Sequence, residues 1–479
     1  MRSHRPLRLG DIAAERLVMV THREPFRVVA RDGQPAVERT TGGLIAALEP
    51  AMREVSGVWI SAGPRKKDGL SSIEGAVEQL PYSWIPVPYS DEDHALFYLG
   101  FSNRALWPLY HSMLGMTAYE RTEWSAYRRV NQLFADGISP ELQQDDFVWV
   151  HDYQLSLVPQ LVRQGGLPPG VRIGFFLHIP FPGYDLFRTL PWAREVLEGM
   201  LGASLIAFHV PEYCYNFFEC VEQLLGIHCD RLQGRILVGD RYVNVRAIPI
   251  GIDTEAMYEA VSNAEVQARA EKLREELGGS YVVVGVDRLD YTKGILERLY
   301  ALEVFFERYA HRRGIVSMVQ VAVPSRSGID RYQQLRENIE RQVGHINGLY
   351  ARPDWTPLTF MCRSVPFEEL AALYHAADMA LVTPLRDGMN LVAKEYVAAH
   401  KDKGGVLLLS DLAGAAQQLT EAEMLNPYHV DAMAETIERS IDIPLETQKR
   451  RMRTMNAKVR RYDVRHWIET FLNEGLYVE

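Results

Sequence analysis

Cysteine is scarce in this chain, positive charge does not prevail, and no apolar run is long enough to cross a bilayer. The four cysteines, Cys214, Cys220, Cys229 and Cys362, form no Cys-x-x-Cys pair and no Cys/His ligand spacing. Disulfide scaffolds and structural zinc sites are thereby excluded, and buried thiols in a reducing compartment are expected. Lys and Arg number 52 against 62 Asp and Glu, a net charge of -10, which argues against a general nucleic-acid surface. No stretch approaches the roughly 18 uninterrupted apolar residues of a membrane span, and the basic start from Met1 to Leu9 is followed by no apolar signal core. A soluble, cytoplasmic protein is expected, with no membrane partner and no nucleic acid. Fixed-period repeats and low-complexity tracts are also missing, and no ligand cluster calls for a metal or a resident cofactor.

What is present is a two-part alternation of strands and helices. The 479 residues, 47% hydrophobic and 24% charged, suffice for two domains with substantial cores. Apolar strands are read at Leu17 to Thr21, Val58 to Ser61, Phe147 to His151, Ile173 to His178, Leu205 to His209 and Val245 to Ile250. A second set follows at Tyr281 to Val286, Met318 to Val323, Leu358 to Cys362, Met379 to Val382 and Val406 to Leu409. Strands separated by amphipathic helices imply parallel sheets with right-handed crossovers. The boundary falls near Gly251 to Asp253, before a charged helix at Ala264 to Leu277.

Two strand ends carry the chemistry. Met379 to Val382 run into Thr-Pro-Leu-Arg-Asp387-Gly388, after which Leu391 to Ala399 have the composition of a packed helix. The chain turns on Gly388, so a helix start is expected there, with its first amides and dipole turned to a diphosphate. Asp387 beside an anion site reads as an acceptor for sugar hydroxyls, and Glu395 as an acceptor for a ribose diol. In the other segment, Tyr281 to Val286 end in Asp287-Arg288-Leu-Asp290-Tyr-Thr-Lys293-Gly294. Arg288 and Lys293 are cations at the carboxyl end of a strand, where open α/β sheets bind ligands, and they offer a guanidinium fork and a compact charge to phosphate oxygens. The plainer reading is a pair of surface cations neutralised by Asp287 and Asp290.

These segments, together with Val323-Pro-Ser-Arg326 and His178-Ile-Pro-Phe-Pro, resemble glycosyltransferase family 20, the family of UDP-forming α,α-trehalose-phosphate synthases. The resemblance runs from about Arg16 to Trp467 and rests on long strings, not on an isolated glycine pattern. It implies an α/β protein of the GT-B fold, two Rossmann-like domains facing each other across a substrate cleft. The first would span residues 1–252, completed by a C-terminal helix at 462–479, and the second residues 253–461. It further implies retaining, metal-independent transfer of glucose from UDP-glucose to glucose 6-phosphate by front-face displacement, with no cofactor beyond the nucleotide-sugar co-substrate. A homo-oligomer is left open.

Carried over position by position, the resemblance implies a catalytic set of Arg288, Lys293, Asp387 and His178. Donor binding would use Gly43, Arg288, Lys293, Asp387, Gly388, Met389, Asn390, Leu391 and Glu395. Acceptor binding would use Arg23, Tyr98, Trp107, Asp152 and Arg326, the last reaching across the cleft. From spacing alone Tyr98 and Trp107 read as a core aromatic pair. The chain also departs from the family pattern. Thr21-His22-Arg23 stands where Ser-Asn-Arg is usual, and no second aromatic follows Trp59. With the Leu190-Pro-Trp and Arg461-Tyr-Asp-Val segments, these departures are similar to glucosylglycerol-phosphate synthase, which uses ADP-glucose and glycerol 3-phosphate. A catalytically silent sugar-phosphate-binding relative is a further alternative. Two literal matches carry nothing: Asp91-Glu-Asp93 reads as a solvated turn and not as a metal-binding DxD, and the basic run after Gln448 reads as a solvated helix face with Met452, Met455 and Val459 inward.

Overall fold

The computed structural model describes residues 16–31, 34–39, 45, 47–49, 52, 57–63, 82–278, 280–326, 328–401 and 403–476. Gly43 lies outside the described residues. The chain divides into two compact units, Met1–Ile250 with Arg465–Glu479, and Gly251–Val464. At the division a Cβ on Gly251 would lie 2.2 Å from the Asp463 carbonyl carbon, so the outgoing and returning segments touch backbone to backbone and only glycine fits.

The first unit holds β1 (Leu17–Thr21), β2 (Phe26–Arg31), β3 (Gln34–Arg39), β4 (Gly57–Ala62), β5 (Ser83–Val87), β6 (Phe147–His151), β7 (Arg172–Phe176), β8 (Leu205–Phe208), β9 (Cys229–Asp230), β10 (Arg235–Val238) and β11 (Arg241–Ala247). Its main sheet runs β5-β4-β1-β6-β7-β8-β11-β10-β9. Pairing is parallel from β5 to β11 and antiparallel from β11 through β10 to β9. That hairpin edge and the separate β2-β3 ribbon depart from the all-parallel expectation. Their sequences mix polar with apolar residues, so they lack the continuous apolar run by which a buried parallel strand is recognised. β1 and β6, by contrast, are buried along their whole length.

The second unit holds β12 (Tyr281–Arg288), β13 (Val316–Val323), β14 (Leu358–Met361), β15 (Met379–Val382), β16 (Val406–Ser410) and β17 (Glu423–Leu425). They form one parallel sheet in the order β14-β13-β12-β15-β16-β17. Its core packs Val283, Met318, Leu381 and Leu408 against Leu299, Leu302, Phe305 and Ile437 of the covering helices.

In both units the strand order reverses beside the first strand, between β1 and β6 and between β12 and β15. Ligands of open α/β sheets bind beyond the carboxyl ends of the strands at such a reversal, because the crossovers leave in opposite directions and open a crevice. Every described site candidate lies at or after the carboxyl end of a strand except Tyr98, on the π-helical stretch His94–Leu106, and Trp107, which opens the short α-helix Trp107–Tyr110. Two local expectations are corrected. Asp91–Asp93 is no turn: Ser90 caps a helical start that continues as a π-helical stretch, His94–Leu106. The helix Leu391–Ala399 has the bounds read from the sequence, but Asn390 and not Gly388 stands at its start as the cap.

Candidate active site

In the second unit β12 delivers Arg288, and the turn behind it delivers Lys293. The chain can then enter the helix Ile295–Arg308 because Gly294 takes φ +62°, with its Cα so near the Thr383 carbonyl that a Cβ would stand 2.0 Å from the oxygen. Lys293 Nζ donates to Asp387 Oδ2 at 2.6 Å, both side chains being largely buried. Asp387 is held in turn: Asn390 Nδ2 donates to Oδ2 at 3.1 Å and the Met389 amide to Oδ1 at 3.4 Å. Asn390 adopts φ +75° and caps the helix by accepting from the Ala393 amide. The loop is pinned from the other side, where Gly414 N donates to the Asp387 carbonyl and a Cβ on Gly414 would meet the Gly388 oxygen at 2.1 Å. Glu395 accepts from the buried Tyr374 hydroxyl at 2.8 Å, and burial raises its carboxyl above the usual range.

The carboxylates that were to neutralise Arg288 and Lys293 in the plain reading have other hydrogen-bonded partners. Asp287 pairs with Arg298 at 2.7 Å, and that fully buried guanidinium also reaches Gln320 and Thr383. It passes β12 where Gly285 leaves room, since a Cβ there would meet Arg298 Nη1 at 2.4 Å. Asp290 pairs with Arg326 at 2.8 Å, and Tyr332 bonds both. Burial pushes the Asp290 carboxyl up, yet Arg326, Arg288 and Lys293 more than offset this and hold it down at about 2. The Arg326 side chain is only 3% exposed.

In the first unit Arg23 follows β1. The neighbouring His22 is buried, bonds the Tyr89 hydroxyl at 2.9 Å and stacks on Tyr98 at 4.7 Å. Tyr98 lies on the π-helical stretch, a geometry frequent at functional sites, and its carbonyl accepts from Asn103, which in turn accepts from Tyr153. Trp107 is buried against His111 and Tyr153. Asp152 follows β6 at φ +74°, and its Oδ1 accepts from the His178 amide at 3.2 Å. His178 follows β7 and meets His151 ring to ring, Nε2 to Nδ1 at 2.9 Å. Burial first, then a neighbouring histidine, lowers both rings well below the ordinary histidine range.

Sequence reasoning missed His22, His151, His209, Arg298 and Tyr332 as parts of these clusters. A signal existed for two of them: three successive apolar strands end Val-His151, Leu-His178 and Phe-His209. Among the described residues no group of three or more His, Cys, Asp and Glu is placed to hold a metal ion, no helix is long and apolar enough to cross a membrane, and the cysteines are free thiols.

Two Rossmann-like units with charged and polar side chains at their sheet reversals are the architecture of a GT-B glycosyltransferase. The chain belongs to glycosyltransferase family 20, whose model matches residues 15–475. It is 42% identical over 467 residues to a trehalose-6-phosphate synthase of Mycolicibacterium vanbaalenii, covering 95% of each chain. It is similar to a trehalose-6-phosphate protein from E. coli bound with UDP-2-fluoro glucose, with TM-score 0.86 and 33% identity over 97% of this chain and 99% of that one. A UDP-forming synthase of Burkholderia xenovorans in complex with glucose-6-phosphate gives TM-score 0.85 and 33% identity, covering 96% and 99%.

Proposed function

We propose that this chain moves glucose from UDP-glucose to glucose 6-phosphate, with retention and without a metal, releasing UDP and trehalose 6-phosphate. The observation that carries the reading is the cluster at the reversal of the second sheet, where Lys293 bridges to Asp387 beside Arg288 and the first turn of the helix Leu391–Ala399. The relatives' names, and the UDP-sugar and glucose-6-phosphate bound to two of them, support it.

The diphosphate is assigned to Arg288, Lys293 and the amides that open that helix. An ammonium has three N–H groups, so Lys293 can keep Asp387 and still donate to phosphate. Asp387 and Glu395 accept from hydroxyls, and Gly388, Met389, Asn390 and Leu391 supply the backbone around the donor. The bond between the anomeric carbon and the UDP oxygen breaks as the acceptor hydroxyl approaches the same face. The hydroxyl proton passes to the departing phosphate oxygen, so no covalent glycosyl-enzyme forms and no flanking carboxylate pair is needed. Preorganised cations stabilise the charge that develops on UDP.

Arg23, Tyr98, Trp107 and Asp152 are assigned to the acceptor, with His178 at a sugar hydroxyl. Arg326 joins them: its Nη1 is engaged by Asp290, but a guanidinium has five N–H groups, so it can keep Asp290 and still donate to an acceptor phosphate.

The test is a product analysis with UDP-, ADP- and GDP-glucose against glucose 6-phosphate and glycerol 3-phosphate, with and without excess chelator. The expected result is α,α-linked trehalose 6-phosphate from UDP-glucose at a rate chelator does not change. Glucosylglycerol phosphate as the faster product would reassign the acceptor, loss of rate restored by a divalent ion would end the metal-free mechanism, and binding without turnover would mark a silent relative.

A further inference from the structure

Adjacent parallel strands β6, β7 and β8 bring three histidines together at or just beyond their carboxyl ends, and their contacts determine where the ring protons lie. A thioether sulfur has lone pairs and no proton. The 3.0 Å contact of His151 Nε2 with Met19 Sδ is therefore a hydrogen bond only with the proton on Nε2. A neutral imidazole has one ring proton, so His151 Nδ1 is an acceptor, and the 2.9 Å contact from His178 Nε2 puts the proton of His178 on Nε2. The same count leaves a lone pair on His178 Nδ1. The third ring agrees: His209 Nε2 faces the His178 carbonyl at 3.2 Å and must donate, while its Nδ1 accepts from the Ile250 amide at 3.4 Å. Burial disfavours a second proton on His151 or His178, which keeps the count of one proton per ring valid.

We infer that Met19 and His151 are positioning residues that hold His178 in the tautomer with a bare Nδ1, so that this ring accepts a hydrogen bond from a sugar hydroxyl and cannot donate one. The tautomer in a histidine is set by the bond its other nitrogen makes, and here that bond is passed through two side chains from a sulfur in β1. Nδ1 of His178 makes no hydrogen bond among the described residues, and the residue is half-buried. The sugar part of the inference rests on the proposed function; the tautomer does not.

The experiment is long-range proton–nitrogen NMR of the full chain with labelled histidine at neutral pH, the His178 signals being assigned by their loss in His178→Gln. Wild type is expected to show a pyrrole-type Nε2 and a pyridine-type Nδ1 at His178. Met19→Leu keeps the volume and removes the acceptor, and His151→Phe removes the relay ring. Each should move His178 toward a mixture of tautomers and lower kcat/KM by about three- to tenfold, the cost of one misdirected hydrogen bond. The loss should appear mainly in kcat, with the unfolding transition of Met19→Leu nearly unchanged. A protonated Nδ1 in wild type overturns the inference, as does a His178 tautomer that neither variant moves. Because the spectrum needs no substrate, an unexpected product would defeat the proposed function and leave the tautomer result standing. A protonated Nδ1 would defeat this inference even in an enzyme that makes trehalose 6-phosphate.

Discussion

Positive backbone angles mark the candidate site residue by residue. The described non-glycine residues with positive φ are Ser112, Asp145, Asp152, Arg326 and Asn390, and the last three are site candidates. Such conformations cost about 1–3 kcal/mol and persist where the surroundings over-determine them. Here the His178 amide, Asp290 and the Ala393 amide do so. If Arg288 and Lys293 stabilise the departing UDP, Arg288→Ala and Lys293→Ala should each lower kcat by about 2–4 kcal/mol of transition-state stabilisation. Steady-state kinetics and a donor titration check this, since a change confined to donor affinity would mean that they only bind. Arg326→Ala should raise the acceptor KM by about 10- to 100-fold, matching the 1.5–3 kcal/mol of a charge-assisted bond, with UDP-glucose binding almost unchanged. Asp387→Ala should do the reverse, and unaltered glucose 6-phosphate kinetics in the Arg326 variant would remove that residue from the acceptor site.

At the scale of elements, the site depends on how closely β12 and β15 let their following loops approach. Gly294 permits it twice, by its positive φ and by the missing Cβ beside the Thr383 carbonyl. Alanine there carries the left-handed penalty of roughly 1–2 kcal/mol and in addition pushes Thr383 away. The displacement should spread to Lys293 on one side and to the Asp387 loop on the other. Gly294→Ala is therefore expected to lower the urea midpoint and also to weaken donor binding, whereas Gly344, whose Cβ would meet nothing within 4 Å, should accept alanine in its helix with no loss of either. Equal effects at the two glycines would refute this account of the loop.

At the scale of the whole molecule, the chain returns at its end to complete the first unit. In the helix Val464–Leu476, Trp467 is fully buried and packs on Trp149 and Phe176 with centroids at 5.1 Å, and on His178 at 5.9 Å. Phe471 stacks on Trp149 at 4.3 Å. Removing a buried indole costs about 3–5 kcal/mol, so Trp467→Ala should destabilise the first unit by that order. Hydrogen exchange would check it: faster opening is expected in β6 and β7 and not in β12 to β16. Uniformly faster exchange in both units would show that the helix supports the molecule as a whole.

Apolar runs, their spacing and the charged residues that end them were readable in the sequence, because a buried parallel strand must be apolar throughout and can carry charge only where it leaves the sheet. That is why Asp387, Lys293 and Arg288 could be named from the strand ends, while Asp152 and His178 came from the family resemblance, and why β2, β3, β5, β9, β10 and β17, which lack a continuous apolar run, could not be read. Partnership was not readable. Asp290 and Arg326 are 36 residues apart, Lys293 and Asp387 94, and Met19 and His151 132. Which carboxylate neutralises which cation, and on which nitrogen a histidine keeps its proton, depends on distances of a few ångströms between strand ends. Only the packed sheets set those distances.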